Sequence, residues 1–240
     1  MHTYPPFLHV LTNAFHLHRI TATIIMPDAD TSLALPSTFF GSVGTAGQRC
    51  TSTRRLFVHR SIAPQFLSSL RDLYTSPTAK PGDPLKSGTL VGPLHSEQAR
   101  EGFENAMKRL KGVGAEILCG GARWEGAHLA AFDPEIENGI FVKPTIVRLP
   151  PPSLSSSSSE IQAIWNTETF APILHVTEFS ELDEAIAWNN SVPQGLSSSL
   201  WTKDVREVGK WIGPNGSDCG IVNVSVPSSP TMHTSTFNLF

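Results

Sequence analysis

Strand-like and helix-like segments alternate along most of this chain, and that alternation is the feature that most constrains its fold. The strand-like segments are short runs rich in β-branched and aromatic residues. They cover residues 56–59, 115–119, 140–147, 173–179, 196–202 and 221–226. Because strands that alternate with helices build sheets whose strands run in one direction, we predict an α/β fold with a largely parallel sheet flanked by helices.

Most segments between the predicted strands contain apolar residues at helical spacing. This period predicts helices over residues 62–74, 96–113, 181–190 and 205–212. A stretch of small residues predicts a further helix over 38–48, ending near Gly47. Residues 150–159, "PPPSLSSSSS", show neither period. Their low complexity predicts a mobile surface insertion that neither packs nor catalyses.

The charge balance limits the partners that the chain could bind. Of 240 residues, 18 are basic and 21 are acidic, which gives a formal net charge of -3. No basic cluster indicates nucleic acid or an anionic membrane surface as a partner. No run approaches the roughly 20 apolar residues that span a bilayer. We therefore expect a small-molecule partner, with no nucleic acid and no membrane.

Three cysteines, Cys50, Cys119 and Cys219, lie far apart in the sequence. Their spacing fits neither a disulfide framework nor a metal site, so we expect a reducing, cytoplasmic location and no bound metal. A cysteine attacks a carbonyl carbon only as an accessible thiolate. The residues alone leave two interpretations of Cys50 open, because it is either such a nucleophile or a buried, inert thiol.

A resemblance to a known family favours the first interpretation. The segment "FGSVGTAGQRCTSTRRLFVH", residues 40–59, resembles the active-site segment of the aldehyde dehydrogenase superfamily and is most similar to its antiquitin branch, the aminoadipic semialdehyde dehydrogenases. "VGPLHSEQA", "VKPTIV", "TETFAPIL" and "GPNGSDCGIVNVSVPSS" follow in the family's order. The resemblance implies a catalytic domain over residues 22–229, with 150–159 as an insertion, and leaves 1–21 and 230–240 unassigned.

The resemblance also implies the chemistry and the residues that perform it. Cys50 would add to the carbon of a small-molecule aldehyde, and the resulting thiohemiacetal would be oxidised by NAD to a thioester that water hydrolyses to the acid. Glu168 corresponds to the carboxylate that binds the nicotinamide ribose, and Phe170 to the aromatic residue beside the nicotinamide ring.

Three further residues are assigned to the substrate side of the predicted site. Arg49 would favour the thiolate or hold an acidic substrate, although it is equally well a surface arginine. Thr51 follows the nucleophile directly. Cys219 corresponds to the loop that lines the aldehyde entrance, and a packed structural thiol is its alternative. Cys119 is assigned no role.

The family pattern is not matched at either end of the chain. Residues 1–40 contain no glycine-rich loop after a strand, so the doubly wound NAD-binding domain is expected to be missing. His16 stands where the family has the glutamate that activates water. The family forms homo-oligomers, and residues 230–240 do not resemble its pairing strand. We expect the chain alone to be inactive.

Two other functions remain open from the sequence. The chain could be a non-catalytic remnant that associates with full-length relatives through its remaining surfaces. Alternatively, Cys50 could serve a cysteine hydrolase that cleaves activated esters, with His59 or His16 as its base.

Overall fold

A sheet of seven strands forms the centre of the computed structural model, which describes residues 20–152, 159–192 and 195–226. In chain order the strands are β1 Thr21–Ile25, β2 Thr53–His59, β3 Glu116–Cys119, β4 Thr145–Arg148, β5 Ile173–Phe179, β6 Ser197–Trp201 and β7 Ile221–Val224. They lie side by side in the order β3-β4-β5-β2-β1-β6-β7. Only the β3–β4 pair is antiparallel among these. The predicted α/β fold with a largely parallel sheet is confirmed.

Helices connect consecutive strands of this sheet. They are α1 Thr31–Val43, α2 Ala63–Thr75, α3 Glu97–Gly112, α4 Gly126–Phe132, α5 Glu160–Trp165, α6 Leu182–Asn189 and α7 Val205–Ile212. The predictions of α2, α3, α6 and α7 are confirmed to within one or two residues. The Ser96 side chain begins α3 by accepting a hydrogen bond from the backbone N–H of Ala99. None of the helices in the described part of the chain is both long and apolar enough to cross a membrane.

Strand β1 lies inside the sheet, although no periodic pattern in the sequence predicts it. It lies between β2 and β6 and runs parallel to both, and all five of its residues are buried. It begins at Thr21, one residue before the predicted start of the domain. Its five residues are too few to show the alternation typical of a strand. Helices α4 and α5, with seven and six residues, are likewise too short to show a helical period, and the sequence did not predict them.

The predicted helix over residues 38–48 is wrong at both ends. Helix α1 begins earlier, at Thr31, where the Asp30 side chain accepts a hydrogen bond from the backbone N–H of Ser32. Pro36 lies inside α1 and masked this start in the sequence. The helix ends at Val43, because Thr45, Ala46 and Gly47 all adopt left-handed backbone conformations, with φ of 54°, 51° and 67°.

Both ends of the 150–159 segment pack against the domain, so the prediction that it does not pack is wrong there. The Trp165 indole N–H donates to the carbonyl oxygen of Pro150 at 3.0 Å, and Pro152 is buried. The Ser159 hydroxyl begins α5 by accepting from the backbone N–H of Gln162 at 3.1 Å. Residues 153–158 lie outside the described residues.

The β2–β5 pair buries charged and titratable side chains. Arg55 of β2 pairs in register with His175 of β5, and both are buried. The Arg55 guanidinium donates to three backbone carbonyl oxygens, those of Ile20, Trp188 and Asn189, at 2.7–3.0 Å. Burial, with the positive charges of Arg54 and Arg55 nearby, lowers the pKa of His175 to about 4. The His175 ring is therefore neutral in the folded protein near pH 7.

Replacing His175 by phenylalanine is expected to make stability less dependent on pH between about 4 and 6.5. The folded protein keeps the ring neutral down to a pKa of about 4, whereas the unfolded chain binds a proton below about 6.5. Acid therefore favours the unfolded state, and the contribution of His175 to the free energy of unfolding falls by up to ~3 kcal/mol across this window. Urea unfolding at a series of pH values measures the slope.

The region above about pH 7.5, where the unfolded histidine has lost nearly all of its protons, provides the internal control for this experiment. Histidine is neutral there in both states, so the difference in stability between the wild type and His175→Phe should be constant. Identical slopes for the two proteins between pH 4 and 6.5 would contradict a buried, neutral His175.

Candidate active site

The turn that carries Cys50, residues 44–52, is held by hydrogen bonds of the Gln48 side chain; we call it the cysteine turn. Gln48 donates from Nε2 to the carbonyl oxygens of Thr45, at 3.2 Å, and Pro93, at 3.0 Å. Gln48 Oε1 accepts from the backbone N–H of His95 at 2.9 Å. The three left-handed residues direct the chain away from α1, and Cys50 is exposed three residues before β2 begins. The thiol is thus accessible, as a nucleophile requires.

Arg49 lies beside Cys50, but its side chain points back toward α1. Its Nη2 donates to the carbonyl oxygen of Phe40 at 2.8 Å, and its guanidinium carbon lies 4.6 Å from the centre of the Phe40 ring. Burial lowers the pKa of Arg49, and the nearby Cys50 opposes that shift. Arg49 therefore connects the cysteine turn to the end of α1. The substrate-binding roles of Arg49 and of its half-buried neighbour Thr51 stay predictions.

Arg54, which no motif in the sequence singles out, joins the cysteine turn to the segment before β5. Its side chain is only 4% exposed. Its Nη2 lies 3.6 Å from Glu168 Oε1 and donates to the carbonyl oxygen of Arg49 at 3.4 Å. Its Nη1 donates to the carbonyl oxygen of Ala171 at 3.0 Å, and its guanidinium carbon lies 5.1 Å from the centre of the Phe170 ring. The signal in the sequence is a pair of arginines directly before the apolar residues 56–58 of the same strand.

Gly47 brings the same two segments into direct backbone contact. A Cβ atom on Gly47 would lie 2.6 Å from the carbonyl oxygen of Ala171 and 2.7 Å from its carbonyl carbon. Only glycine fits so close an approach. The structure therefore places the cysteine turn against the segment that carries Glu168 and Phe170, at the edge where both β2 and β5 begin.

Glu168 and Phe170 border a cleft of about 370 Å³ between their segment and α3. His95, Asn105 and Arg109 also line this cleft. The Phe170 ring is 39% exposed, and the Glu168 side chain is mostly buried. A volume of this size suits part of a small-molecule ligand. The cleft thus offers a carboxylate and an aromatic surface next to the cysteine turn.

Cys219 and Cys119 differ from Cys50 in their environment. Cys219 is buried before β7, with the side-chain nitrogen of Asn189 3.8 Å from its sulfur. This burial agrees with the packed-thiol alternative, while the substrate-binding role of Cys219 stays a prediction. Cys119 is half-buried on β3, and burial raises the pKa of its thiol. Cys50 is the exposed thiol of the three.

His59 is not a base for Cys50, so the hydrolase interpretation that uses it is wrong. His59 ends β2, whereas Cys50 precedes that strand, and seven residues of strand separate the two by about 20 Å. The His59 ring nitrogens instead contact the Ser61 hydroxyl at 2.8 Å and the Ser180 carbonyl oxygen at 3.0 Å. His16, the other candidate base, lies outside the described residues.

The exposed Cys50 thus lies on a tight turn at the edge of a largely parallel sheet, next to the segment that carries the Glu168 carboxylate and the Phe170 ring. The sequence model of the aldehyde dehydrogenase family matches residues 20–238. The chain belongs to the aldehyde dehydrogenase family.

Within that family the chain is similar to proteins of the antiquitin branch. It is 48% identical over 208 residues to aldehyde dehydrogenase family 7 member A1 of Malus domestica, covering 87% of this chain and 37% of the relative. It is 45% identical to the α-aminoadipic semialdehyde dehydrogenase of Bos taurus, covering 87% of this chain and 35% of the relative. The chain thus spans little more than a third of the length of these relatives.

Solved structures of the family share the fold. Betaine aldehyde dehydrogenase of Staphylococcus aureus, in complex with NAD+, superposes with a TM-score of 0.76 at 26% identity, covering 94% of this chain and 42% of that one. Lactaldehyde dehydrogenase of Escherichia coli gives a TM-score of 0.76 at 27% identity, covering 90% and 41%.

Gly47→Ala is expected to destabilise the protein more than Gly88→Ala does. Both glycines have positive φ, so both substitutions carry the ~1–2 kcal/mol cost of a left-handed side chain. A Cβ on Gly88 meets nothing within 4 Å, whereas one on Gly47 collides with the Ala171 backbone. The collision should add ~1–3 kcal/mol to the loss in unfolding free energy. Urea unfolding of both variants measures it, and equal losses would contradict the contact.

Proposed function

We propose that this chain provides the nucleophile and the cofactor-binding carboxylate for NAD-dependent oxidation of a small-molecule aldehyde. The observation that carries the proposal is the contact between the exposed cysteine turn and the segment with Glu168 and Phe170, bridged by Arg54. Membership of the family supports the same reaction class.

The reaction begins at the Cys50 sulfur, which adds to the aldehyde carbon. The thiol proton leaves to solvent, and the carbonyl oxygen takes up the negative charge of the thiohemiacetal. Oxidation at that carbon removes one hydrogen with its electron pair and leaves an acyl thioester on Cys50. Attack by water on the thioester carbon then releases the carboxylic acid and restores the thiol. Covalent capture divides a difficult oxidation into two easier steps.

The segment next to the cysteine turn has residues that fit the nicotinamide riboside end of NAD. The Glu168 carboxylate offers acceptor oxygens for the two ribose hydroxyls, and the partly exposed Phe170 ring offers a flat surface for the nicotinamide. The cleft of about 370 Å³ that they border has room for this fragment. NAD, when bound, supplies the acceptor for the hydride. NAD+ in the Staphylococcus aureus relative supports the same cofactor here.

We propose α-aminoadipic semialdehyde as the aldehyde. The support is the 45% identity to a Bos taurus protein of that name. Arg49, Thr51 and Cys219 are the proposed substrate-side residues. The Arg49 guanidinium, which bonds the carbonyl oxygen of Phe40 in this structure, would have to turn toward Cys50 to hold a distal carboxylate of the substrate.

The first test follows acetyl transfer from 4-nitrophenyl acetate to the chain, since this reaction forms a Cys50 thioester without NAD. The wild type and Cys119→Ala should each release about one 4-nitrophenolate per chain in a burst, and Cys50→Ala should show no burst. Intact mass and peptide mapping locate the acetyl group. An unchanged burst in Cys50→Ala would contradict the proposal, and continuous Cys50-dependent turnover would indicate a cysteine hydrolase instead.

Recognition of aldehydes has its own control in the same assay. The semialdehyde forms a reversible thiohemiacetal and should slow acetylation of Cys50, whereas the corresponding alcohol should not. Equal rates with aldehyde and alcohol would exclude an aldehyde-binding thiol.

A second candidate function is association with full-length relatives, and the β7 edge favours it. Within the described residues β7 pairs on one side only, with β6, and Ile221 and Val222 on this strand are exposed. An apolar strand with a free edge is a template for pairing with another chain.

Ile221→Lys is expected to abolish co-elution with a full-length antiquitin-type dehydrogenase in size-exclusion chromatography. A charge at an exposed edge position opposes strand pairing and leaves the domain folded. Val205→Lys, at the start of α7, is the matched control, since Val205 is also exposed but lies outside β7. No co-elution of the wild type would remove this candidate.

A further inference from the structure

Two adjacent arginines of β2 are buried on opposite faces of the sheet and have different partners. Arg55 donates only to backbone carbonyl oxygens on the side of α6. Arg54 faces a carboxylate, Glu168, and also donates to the carbonyl oxygens of Arg49 and Ala171. Arg54 is therefore in contact with both segments that form the proposed site.

We propose that Arg54 is a positioning residue that sets the distance between the Cys50 thiol and the Glu168 carboxylate. This inference rests on the proposed function. One planar guanidinium contacts the residue before the nucleophile, the carboxylate itself and the backbone three residues after the carboxylate. The rigid arrangement of its donors fixes the three acceptors relative to one another, which the single ammonium of lysine does not do.

Burial makes this bridge stiff. With 4% of its side chain exposed, the Arg54 guanidinium has lost nearly all contact with water, and that loss lowers its pKa to about 10. It stays charged near neutral pH, so it depends on Glu168 and the two carbonyl oxygens for compensation. A shift of either segment would take at least one acceptor away from a buried charge, which is costly.

Arg54→Gln should slow acetylation of Cys50 by 4-nitrophenyl acetate about 10-fold, because the turn loses its support and the thiol leaves its reactive position. Arg54→Lys should slow it to a similar extent, since the charge alone does not hold three acceptors. Arg55→Gln is the matched control: it also removes a buried arginine of β2 and lowers the unfolding temperature, but it should leave the acetylation rate unchanged.

Glu168→Gln separates positioning from a role in cofactor binding alone. NAD is absent from the assay, so a carboxylate that served only NAD would leave acetylation unchanged. If Arg54 positions the thiol through Glu168, this variant should slow acetylation several-fold. In that background Arg54→Gln should then add less than about 3-fold, because residues that act through one bridge are not additive.

Each outcome decides one statement. Acetylation of Arg54→Gln or Arg54→Lys at the wild-type rate, or an equal slowing in Arg55→Gln, overturns the positioning role. Fully additive effects of Arg54→Gln and Glu168→Gln overturn it as well. If Arg54→Gln does not fold, the acetylation rates of Arg54→Lys and Glu168→Gln still test whether Arg54 positions the thiol. A wild type acetylated no faster at Cys50 than at Cys119 refutes the proposed function first, and the role of Arg54 falls with it.

Discussion

The parallel pairing of β2 with β5 is the constraint on which the proposed site depends. Neighbouring strands that run in the same direction begin at the same edge of a sheet, about 4.8 Å apart. The segments that precede them must therefore meet, and here these are the cysteine turn and the segment with Glu168 and Phe170. The close approach of Gly47 to Ala171 and the bridge made by Arg54 both follow from this one register.

The same pairing gives the sheet an unusually polar interior. Arg54, Arg55 and His175 lie where a parallel sheet ordinarily has aliphatic residues. Desolvating two guanidinium groups costs free energy that hydrogen bonds to carbonyl oxygens offset only in part. Arg55 joins β2 to the residue before β1 and to the end of α6, so it stabilises the packing of α6 on its side of the sheet. Arg54 contributes order to the side where the thiol lies.

The fold could be predicted from local patterns wherever an element was long or flanked by clear signals, as β5 and α7 show. The fold could not be predicted where contacts with distant residues determine the local structure. Strand β1 is too short to show a period. Thr45 and Ala46 are left-handed, a conformation that these residue types rarely adopt. Cys50, Glu168 and Phe170 came from resemblance, and the structure brings their segments together. The prediction of His59 as a base was wrong because β2 carries His59 away from Cys50. No local pattern indicates Arg54, because two of its partners lie more than 100 residues away in the sequence.

The anchored ends of the 150–159 segment have a practical consequence. Pro152 and Ser159 are held by packing and by a helix cap, and the segment follows the carboxyl end of β4, away from the edge where Cys50 lies. The free energy of closing a loop rises only with the logarithm of its length. This position should therefore accept an affinity tag, a fluorescent peptide or an immobilisation handle without disturbing the cysteine turn at the opposite edge.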